Sequence, residues 1–400
     1  MSKQIQDAYI VAATRTPVAK RKGAFRNVRP DDMLAHVLRA VVAKAPGLDL
    51  NEIGDVVVGC AMPEAEQGMN VARIGLLLAG FPDTVPGITI NRFCSSGVNA
   101  VADAATRIQL GEADVMIGAG TESMTVMPQM MGNKVAMNPA VFERDENLAI
   151  AYGMGLTAEK VAQQYKVSRD EQDAFAMASH QKACAAIAAG HFESEITPYL
   201  VREQLPDFKT STVRVVEKLF AQDEGPRPDS SFEGLAKLRT VFAAKGSVTA
   251  GNSSQMSDGA AAVLLMSEAA LKRYNLTPIA KYSGFSIAGV PPEVMGIGPV
   301  AAIPKVLGRV GVAQDALDWI ELNEAFAAQA LAVIKTLGLD PAKVNPLGGA
   351  IALGHPLGAT GAIRVATLMS AMQRNPALRY GMVTMCIGTG MGAAGLFERC

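Results

Sequence analysis

The sequence has few cysteines, and their spacing pairs none of them. Five occur among 400 residues, at positions 60, 94, 184, 386 and 400. An odd, scattered set fits neither a disulfide framework nor a zinc site, because zinc sites draw on cysteine pairs about two to four residues apart. We therefore expect free thiols, no bound metal and a reducing compartment.

Neither sign of charge is in excess. The 37 Lys and Arg residues nearly balance the 38 Asp and Glu residues, and the formal net charge is -1 at pH 7. A nucleic-acid-binding protein needs a basic excess that displaces counterions from the phosphate backbone. The composition therefore argues against nucleic acid as a partner, and an anionic ligand would have to be held by a few local cations.

Long apolar runs are also missing. No stretch reaches the roughly 18 apolar residues that a helix needs to cross a bilayer, and Met1 to Asp7 lacks the apolar core of a secretory signal. The last residues, Glu398 to Cys400, match no standard peroxisomal signal. We predict a cytoplasmic protein without a membrane span.

Apolar residues are nevertheless abundant, at 49% of the chain. A chain of this length exceeds the roughly 250 to 300 residues that one hydrophobic core supports, so two or three packed units are expected. Short apolar strands alternate with amphipathic helices up to Gly120 and again after Ser247, which predicts an α/β fold with parallel strands covered by helices. The predicted strands include 8–13, 55–59, 260–266, 279–288, 318–322, 381–386 and 393–397, and a predicted helix covers 71–78.

Between Thr121 and about Arg239 this alternation stops. The stretch begins with irregular, methionine-rich chain (Met124, Met127, Met130, Met131 and Met137) that we expect to cover another part of the molecule by adaptable packing. A capping-box pattern, Ser168 to Glu171, then predicts a helix that runs to Ala189. We interpret the whole stretch as an insertion outside the sheet.

The second half of the chain repeats features of the first. A strand at Asp55 lies 39 residues before Cys94, and a strand at Asp318 lies 37 residues before His355. A glycine-containing turn, an apolar helix and a glycine-ended strand follow in both halves. This echo predicts a duplicated unit.

Cys94 occupies a predicted strand-to-helix turn. A strand ends near Ile90, and apolar residues recur at helical spacing from Val98. Backbone N–H groups and the positive end of the helix dipole would then point at the sulfur, so we expect a thiol that ionises below its free pKa of about 8.5. The alternative is a small buried hydrophobic residue.

Three further motifs would meet Cys94 if an approximate two-fold axis relates the halves. They are Asn323 to Phe326, Gly354 to Pro356, and Cys386 to Gly388. His355 is one of only four histidines, and the glycines around it suit a close approach of the backbone to a ligand.

These motifs, in this order and at these distances, resemble the thiolase family. The resemblance covers essentially the whole chain and includes Arg15–Pro17, Ala250–Ser254, Asp258–Gly259 and Met385–Gly390. It implies a five-layer α/β/α/β/α thiolase fold of two duplicated halves with an inserted loop domain. The implied units are an N-terminal half at 1–120 continued by 241–275, a loop domain at 121–240 that covers the active site, and a C-terminal half at 276–400. It also implies a homodimer or homotetramer, with a multienzyme partner of β-oxidation as a further candidate.

The resemblance also implies roles for individual residues. Cys94 would be the nucleophile that becomes acylated, His355 would take its proton, and Cys386 would protonate the departing carbanion. One oxyanion site would lie between His355 and a water held by Asn323, and the other at the N–H groups of Cys94 and Gly388. Coenzyme A would be a co-substrate rather than a resident cofactor, with Arg227 near its nucleotide and Ser254 on its pantetheine arm.

Biosynthetic members of the family carry a histidine where this chain has Gly153. We therefore predict a degradative enzyme that cleaves 3-ketoacyl-CoA with CoA, with a biosynthetic acetoacetyl-CoA thiolase as the alternative. A ketoacyl synthase would need a Cys-His-His or Cys-His-Asn set, whereas this chain offers Cys386. A non-catalytic binding protein would be favoured by loss of a catalytic residue, and none is lost. Dinucleotide binding is disfavoured because Gly296 to Gly298 is not a Gly-x-Gly-x-x-Gly turn after a first strand.

Overall fold

The computed structural model describes residues 5–126 and 137–400. The strands are β1 Ala8–Arg15, β2 Ala19–Lys20, β3 Ile53–Gly59, β4 Gly87–Ile90, β5 Val115–Ser123, β6 Tyr199–Asp207, β7 Thr212–Phe220, β8 Ser257–Ser267, β9 Ala280–Gly289, β10 Leu317–Leu322, β11 Tyr380–Ile387 and β12 Met391–Arg399. The α-helices are α1 Pro30–Ala43, α2 Val71–Leu78, α3 Ser96–Gln109, α4 Asp145–Leu148, α5 Met154–Gln164, α6 Arg169–Ala188, α7 Phe232–Ala236, α8 Glu268–Tyr274, α9 Gly298–Val310, α10 Ala327–Leu337, α11 Ala350–Leu353 and α12 Leu357–Arg374.

Helix boundaries follow local sequence signals. Pro30 and two aspartates occupy the first turn of α1, where a proline leaves no N–H unsatisfied and negative charge suits the helix dipole. At the start of α6, Ser168 and Glu171 form the capping box that the sequence predicts.

The strands form two halves of one sheet. In the first half the order is β4-β3-β5-β8-β1, and in the second it is β10-β11-β12-β9, with the two joined by a short antiparallel contact between β1 and β9. A parallel pair, β3 with β5 in the first half and β10 with β11 in the second, is followed by antiparallel neighbours in both halves. The first half has one further strand, β4, which runs parallel to β3 at the edge. Strand order and direction thus repeat between the halves, and the prediction of a duplicated thiolase fold is confirmed.

The sheet is mixed, whereas the sequence pattern predicted parallel strands throughout. Helical crossovers keep neighbouring strands parallel, but β11 and β12 are joined by a turn of three residues, Gly388 to Gly390, and therefore run antiparallel. The insertion separates β5 from β8 and leaves β8 free to run antiparallel as well.

Helices α3 and α12 lie between the two halves of the sheet. One hydrophobic core contains Val98 and Val101 of α3, Val365 and Leu368 of α12, and side chains from strands of both halves. A second core packs α1 and α2 on the outside of the first half, and a third packs α9 and α10 on the outside of the second. The result is five layers, with helices outside and in the middle.

The first turns of α3 and α12 touch backbone to backbone. A Cβ on Gly97 would lie 2.6 Å from the Ala362 nitrogen and 2.8 Å from the Gly358 oxygen, distances that real Cβ atoms do not reach. Glycine at position 97 is therefore what lets the two helix starts, one from each half, meet at one place.

The insertion is more regular than its sequence suggested. Strands β6 and β7 form an antiparallel hairpin that does not join the main sheet. Apolar and charged residues such as Val213, Arg214 and Val215 are exposed on both faces of this hairpin. The strands therefore lack the alternation of apolar and polar residues by which a strand is predicted from sequence. Met127, Met130 and Met131 lie outside the described residues. The domain boundaries at 120, 240 and 275 stay predictions.

Candidate active site

Cys94 lies in a tight turn between β4 and α3. Phe93, directly before it, adopts a left-handed backbone conformation with φ of 46°, which is costly for a residue with a side chain. Two side chains hold this conformation: Asn91 Oδ1 accepts the N–H of Phe93 at 2.8 Å, and Ser96 Oγ donates to the Phe93 carbonyl at 2.7 Å. The turn therefore presents Cys94 at the start of α3, as predicted.

The protonation state of Cys94 differs from the prediction. Burial raises the pKa of its thiol to about 11, although the backbone N–H groups of Gly388 and of Cys94 itself act in the opposite direction. The charge of nearby Glu122 raises it further. The sequence showed the helix start but not the packing around the sulfur. Although Cys94 stays partly exposed, loss of solvation outweighs the two N–H donors.

We expect this raised pKa to show in chemical modification. In the free enzyme, alkylation of Cys94 by iodoacetamide should stay slow through neutral pH and rise only above pH 9, because the reactive thiolate forms only near the raised pKa of about 11. Mass spectrometry of the Cys94 peptide across a pH series measures this. The partly exposed Cys184 provides an internal reference, and a Cys94 midpoint below that of Cys184 would contradict the expectation.

Cys386 lies close to Cys94. It is fully buried near the end of β11, and burial together with the neighbouring Cys94 raises the pKa of its thiol. An apolar cluster of Ala158, Val248, Met295, Ala325 and Phe326 packs around it. The two sulfurs, almost three hundred positions apart in sequence, are close enough to affect each other's ionisation.

His355 is held in a defined tautomer. Its Nδ1 lies 2.7 Å from Thr360 Oγ1, and that hydroxyl donates its own proton to the Pro356 carbonyl at 3.1 Å. Thr360 must therefore accept the Nδ1 proton, which leaves Nε2 as an acceptor. Asn323 Nδ2 lies 3.3 Å from this Nε2.

The imidazole of His355 is uncharged. Burial, with the positive charge of Arg364 as the second cause, lowers its pKa to about 3. A neutral ring with an unprotonated Nε2 has a lone pair for a proton, which is the first requirement of a general base, but the lowered pKa makes it a weaker base than free imidazole.

Asn323 is fixed from two sides. It follows β10, and its N–H donates to the Thr384 carbonyl on β11 at 2.9 Å. Its neighbour Glu324 is buried and accepts from Ser179 at 2.7 Å and from Asn345 at 2.8 Å. Asn323 Oδ1 is buried without a hydrogen-bond partner among the described residues. Among the five predicted catalytic positions, Asn323 contacts His355, and the N–H of Gly388 and the thiol of Cys386 lie close to Cys94. Their catalytic roles stay predictions.

Of the two predicted CoA-binding residues, only Arg227 lines a cavity. Arg227 is exposed and lines a cavity of about 300 Å³ together with His180, Ser231 and Gln255. Ser254 is next to Gln255 in sequence but does not line this cavity, and its N–H donates to the Ala325 carbonyl at 2.9 Å. The cavity therefore lies next to the segment that contains Ser254. That segment contacts Ala325, which packs with Phe326 and Cys386.

Residues 5–126 and 137–400 contain neither a candidate metal site nor a membrane-spanning helix. Within them, no cluster of three or more His, Cys, Asp or Glu side chains could hold a metal ion. No helix in those ranges is long and apolar enough to cross a membrane.

Sequence reasoning missed three residues near this site. Thr360 fixes the tautomer of His355, Glu122 affects Cys94, and His180 lines the cavity and accepts the N–H of Arg227 at 3.2 Å. Thr360 could have been found as the hydroxyl in the first turn after His355. Glu122 and His180 reach the site from elements that are distant in sequence, and no local pattern marks them.

The fold and this site are those of an acyltransferase enzyme. The thiolase N-terminal domain matches residues 8–269 and the thiolase C-terminal domain matches residues 276–399, so the chain belongs to the thiolase family. It is 50% identical to a 3-ketoacyl-CoA thiolase of Bacillus subtilis over 99% of this chain and 100% of that one.

Two solved structures are also similar to the chain. The dimeric peroxisomal thiolase of Saccharomyces cerevisiae aligns with a TM-score of 0.89 and 41% identity, over 100% of this chain and 99% of that one. The acetyl-CoA acetyltransferase of Bacillus anthracis aligns with the same TM-score and 39% identity, over 100% of both chains.

Proposed function

We propose that this protein cleaves 3-ketoacyl-CoA with CoA, giving acetyl-CoA and a shortened acyl-CoA, through an acyl-enzyme on Cys94. One observation carries the proposal: the thiols of Cys94 and Cys386, from the two halves of the chain, lie close enough for Cys94 to raise the pKa of Cys386. An uncharged histidine, His355, contacts Asn323, whose N–H binds the Thr384 carbonyl two residues before Cys386. The relatives favour the predicted degradative branch over the biosynthetic alternative, because 3-ketoacyl-CoA thiolases match nearly the whole chain at 45 to 50% identity.

In the first half-reaction His355 Nε2 takes the proton of Cys94. The thiolate attacks the keto carbon, and collapse of the resulting oxyanion breaks the bond between that carbon and the neighbouring CH₂. The electron pair leaves as the enolate of acetyl-CoA, and Cys386 donates the proton that this carbon needs. Cys94 is then acylated, His355 is protonated, and Cys386 is a thiolate.

In the second half-reaction CoA gives its thiol proton to Cys386 and attacks the acyl-enzyme. The Cys94 thiolate leaves and recovers its proton from His355. Every group returns to its starting protonation state, so the cycle needs no resident cofactor or metal.

Two oxyanions form in this cycle, and each has a candidate site. The N–H groups of Cys94 and Gly388, which approach the Cys94 sulfur, would stabilise one. Asn323, through a bound water, and His355 would stabilise the other. A well-placed donor of this kind contributes on the order of 3 kcal/mol to the transition state. The Arg227 cavity would take the anionic end of CoA, with Ser254 on its pantetheine arm.

Turnover across acyl chain lengths tests the proposal. We expect activity on acetoacetyl-CoA and on longer 3-ketoacyl-CoA substrates, followed by loss of the enolate absorbance. Activity on acetoacetyl-CoA alone would favour the biosynthetic alternative. No turnover at any length would leave only a binding protein on the thiolase fold.

Gly153 provides a sharper test of chain length. It precedes α5, a Cβ there would have no atom within 4 Å, and the next residue, Met154, faces Gly388. We expect Gly153→His to fill this space and to lower kcat/KM for long 3-ketoacyl-CoA by about tenfold, with little change for acetoacetyl-CoA. Gly308→His is the matched control, because Gly308 is equally open but lies on α9. Equal losses at all chain lengths would contradict this role for Gly153.

We further propose a cytoplasmic homodimer, in which the edge strand β4 pairs with its copy. β4 has β3 as its sole partner among the described residues, and Ile88 on β4 and Leu77 and Leu78 on α2 are about half exposed. An unpaired edge flanked by apolar side chains favours pairing with another strand.

Sedimentation analysis should give twice the chain mass, and a monomer would exclude this interface. Four chain masses would indicate a tetramer, and co-purification would test for a multienzyme partner.

A further inference from the structure

Glu122, at the end of β5, forms a buried cluster beside the proposed catalytic residues. One carboxylate oxygen, Oε2, accepts the N–H of Ala61 at 2.7 Å and the N–H of Gly358 at 2.8 Å. The other, Oε1, accepts from the amide of Gln67 and lies 3.9 Å from the Cys60 sulfur. The side chain is fully buried.

The hydrogen-bond partners of Glu122 favour its ionised form, whereas burial opposes it and leaves the net pKa raised. The two backbone N–H groups and the Gln67 side-chain nitrogen can only donate hydrogen bonds. If the Glu122 carboxyl were protonated, its proton would have only the Cys60 sulfur, a weak acceptor, as a partner among these groups. Burial raises the pKa of Glu122, whereas the N–H donors of Ala61 and Gly358 and the Gln67 amide lower it. No Lys, Arg or His of the described chain forms an ion pair with it, so these donors and a helix end balance its charge.

That helix end is the start of α12. Pro356, at the N-cap position, makes no side-chain cap, and the first turn contains no acidic residue of its own. Glu122 supplies both the acceptor and the negative charge that a helix start favours. The same turn contains Thr360, which fixes the tautomer of His355.

Glu122 also acts on the nucleophile. Its negative charge opposes a second negative charge on Cys94, so it favours the neutral thiol before substrate arrives. One buried carboxylate is thus in contact with the helix that positions His355 and within electrostatic range of Cys94.

We propose that Glu122 is a positioning residue that anchors the start of α12 beneath His355 and places a buried negative charge near Cys94. The inference rests on the proposed roles of Cys94 and His355. It assigns Glu122 no contact with substrate.

The test is Glu122→Gln, which keeps the shape of the side chain and removes its charge. The amide oxygen of the new side chain can still accept from Ala61 and Gly358, but its NH₂ group then faces the NH₂ group of Gln67. We expect the pH midpoint for alkylation of Cys94 to fall by about one unit, as for loss of one nearby like charge. We also expect kcat to fall by at least about tenfold, because the start of α12 shifts. The alkylation readout requires no turnover, so it is separable from a failure of the proposed thiolase activity.

Asp258→Asn is the matched control. Asp258 is also a buried carboxylate that accepts only from donors, Ser123 and Thr125, and it pairs with Ser123 in the adjacent strand. The Asp258→Asn variant should lower thermal stability by about as much as Glu122→Gln does, and it should leave the alkylation midpoint of Cys94 unchanged. An unchanged midpoint in Glu122→Gln, with a loss of kcat no larger than in the control, would overturn the proposal.

If Glu122→Gln does not fold, the double variant Glu122→Gln with Gln67→Glu takes its place. It restores a donor-acceptor pair between the two side chains but moves the charge away from the N–H groups of Ala61 and Gly358. The midpoint should again fall relative to wild type, and a midpoint equal to that of wild type would overturn the proposal.

Discussion

Replacing Cys94 with alanine should lower kcat for every 3-ketoacyl-CoA by at least about 10⁴-fold, which is the scale of loss when a covalent nucleophile is removed. We expect no replacement by Cys386, because it does not lie at the start of α3 and packs in the apolar cluster around Phe326. Steady-state kinetics measure the loss. Mass spectrometry after mixing with acyl-CoA should show an acyl adduct on the wild-type chain and none on the variant.

Cys184→Ala serves as the control for Cys94→Ala. Cys184 is a partly exposed free thiol on α6, and its loss should leave kcat within about twofold of wild type. Retention of more than a tenth of the wild-type rate by Cys94→Ala, or an adduct on a different cysteine, would contradict the acyl-enzyme proposal.

Replacing Cys386 with serine should separate the two kinds of chemistry at the site. Proton transfer at carbon needs a group whose pKa suits the task, and a serine hydroxyl is far less acidic than a thiol. We expect net cleavage, and deuterium exchange at the methyl carbon of acetyl-CoA, to fall by about 10³-fold. Transfer of an acyl group from acyl-CoA to Cys94, followed by exchange of labelled CoA, also passes a proton between CoA and residue 386. That proton leaves sulfur and not carbon, and no carbon–carbon bond breaks, so this exchange should fall by less than about tenfold.

The comparison of these two half-reactions is the control, because both use Cys94 and His355 in the same variant. Equal losses in both would reject the role of Cys386 as the acid and base at carbon. A loss confined to acyl transfer would instead make Cys386 part of the apparatus that activates Cys94.

The local features of this fold could be predicted from the sequence to within a few residues. Helix 71–78 and the capping box at Ser168 appear where their patterns placed them, because apolar spacing and capping side chains act over a few positions. The convergence of the four motifs followed from the echo between the halves together with the family resemblance. The direction of the strands was predicted wrongly. Strands joined by a helix run parallel, but β11 and β12 are joined by a short turn at Gly388, and β5 and β8 are separated by the long insertion.

Electrostatic properties of the site were less predictable. The turn around Cys94 was predicted correctly, but the shift of its pKa has the opposite sign to the prediction, because burial depends on chain that packs over the turn from elsewhere. Glu122 illustrates the same limit, since its contact with Gly358 joins positions 236 residues apart. A single sequence contains no local pattern for such a contact.

The shared core around α3 and α12 has a consequence for the origin of the chain. Each of these helices buries its apolar side against the other and against strands from both repeats. An ancestral polypeptide with one repeat would have left that side in water, and would have been stable only when bound to an identical molecule. Joining two such copies in one chain would replace concentration-dependent association by a permanent covalent link. Each copy could then diverge, one to supply the proposed nucleophile and the other the proposed base.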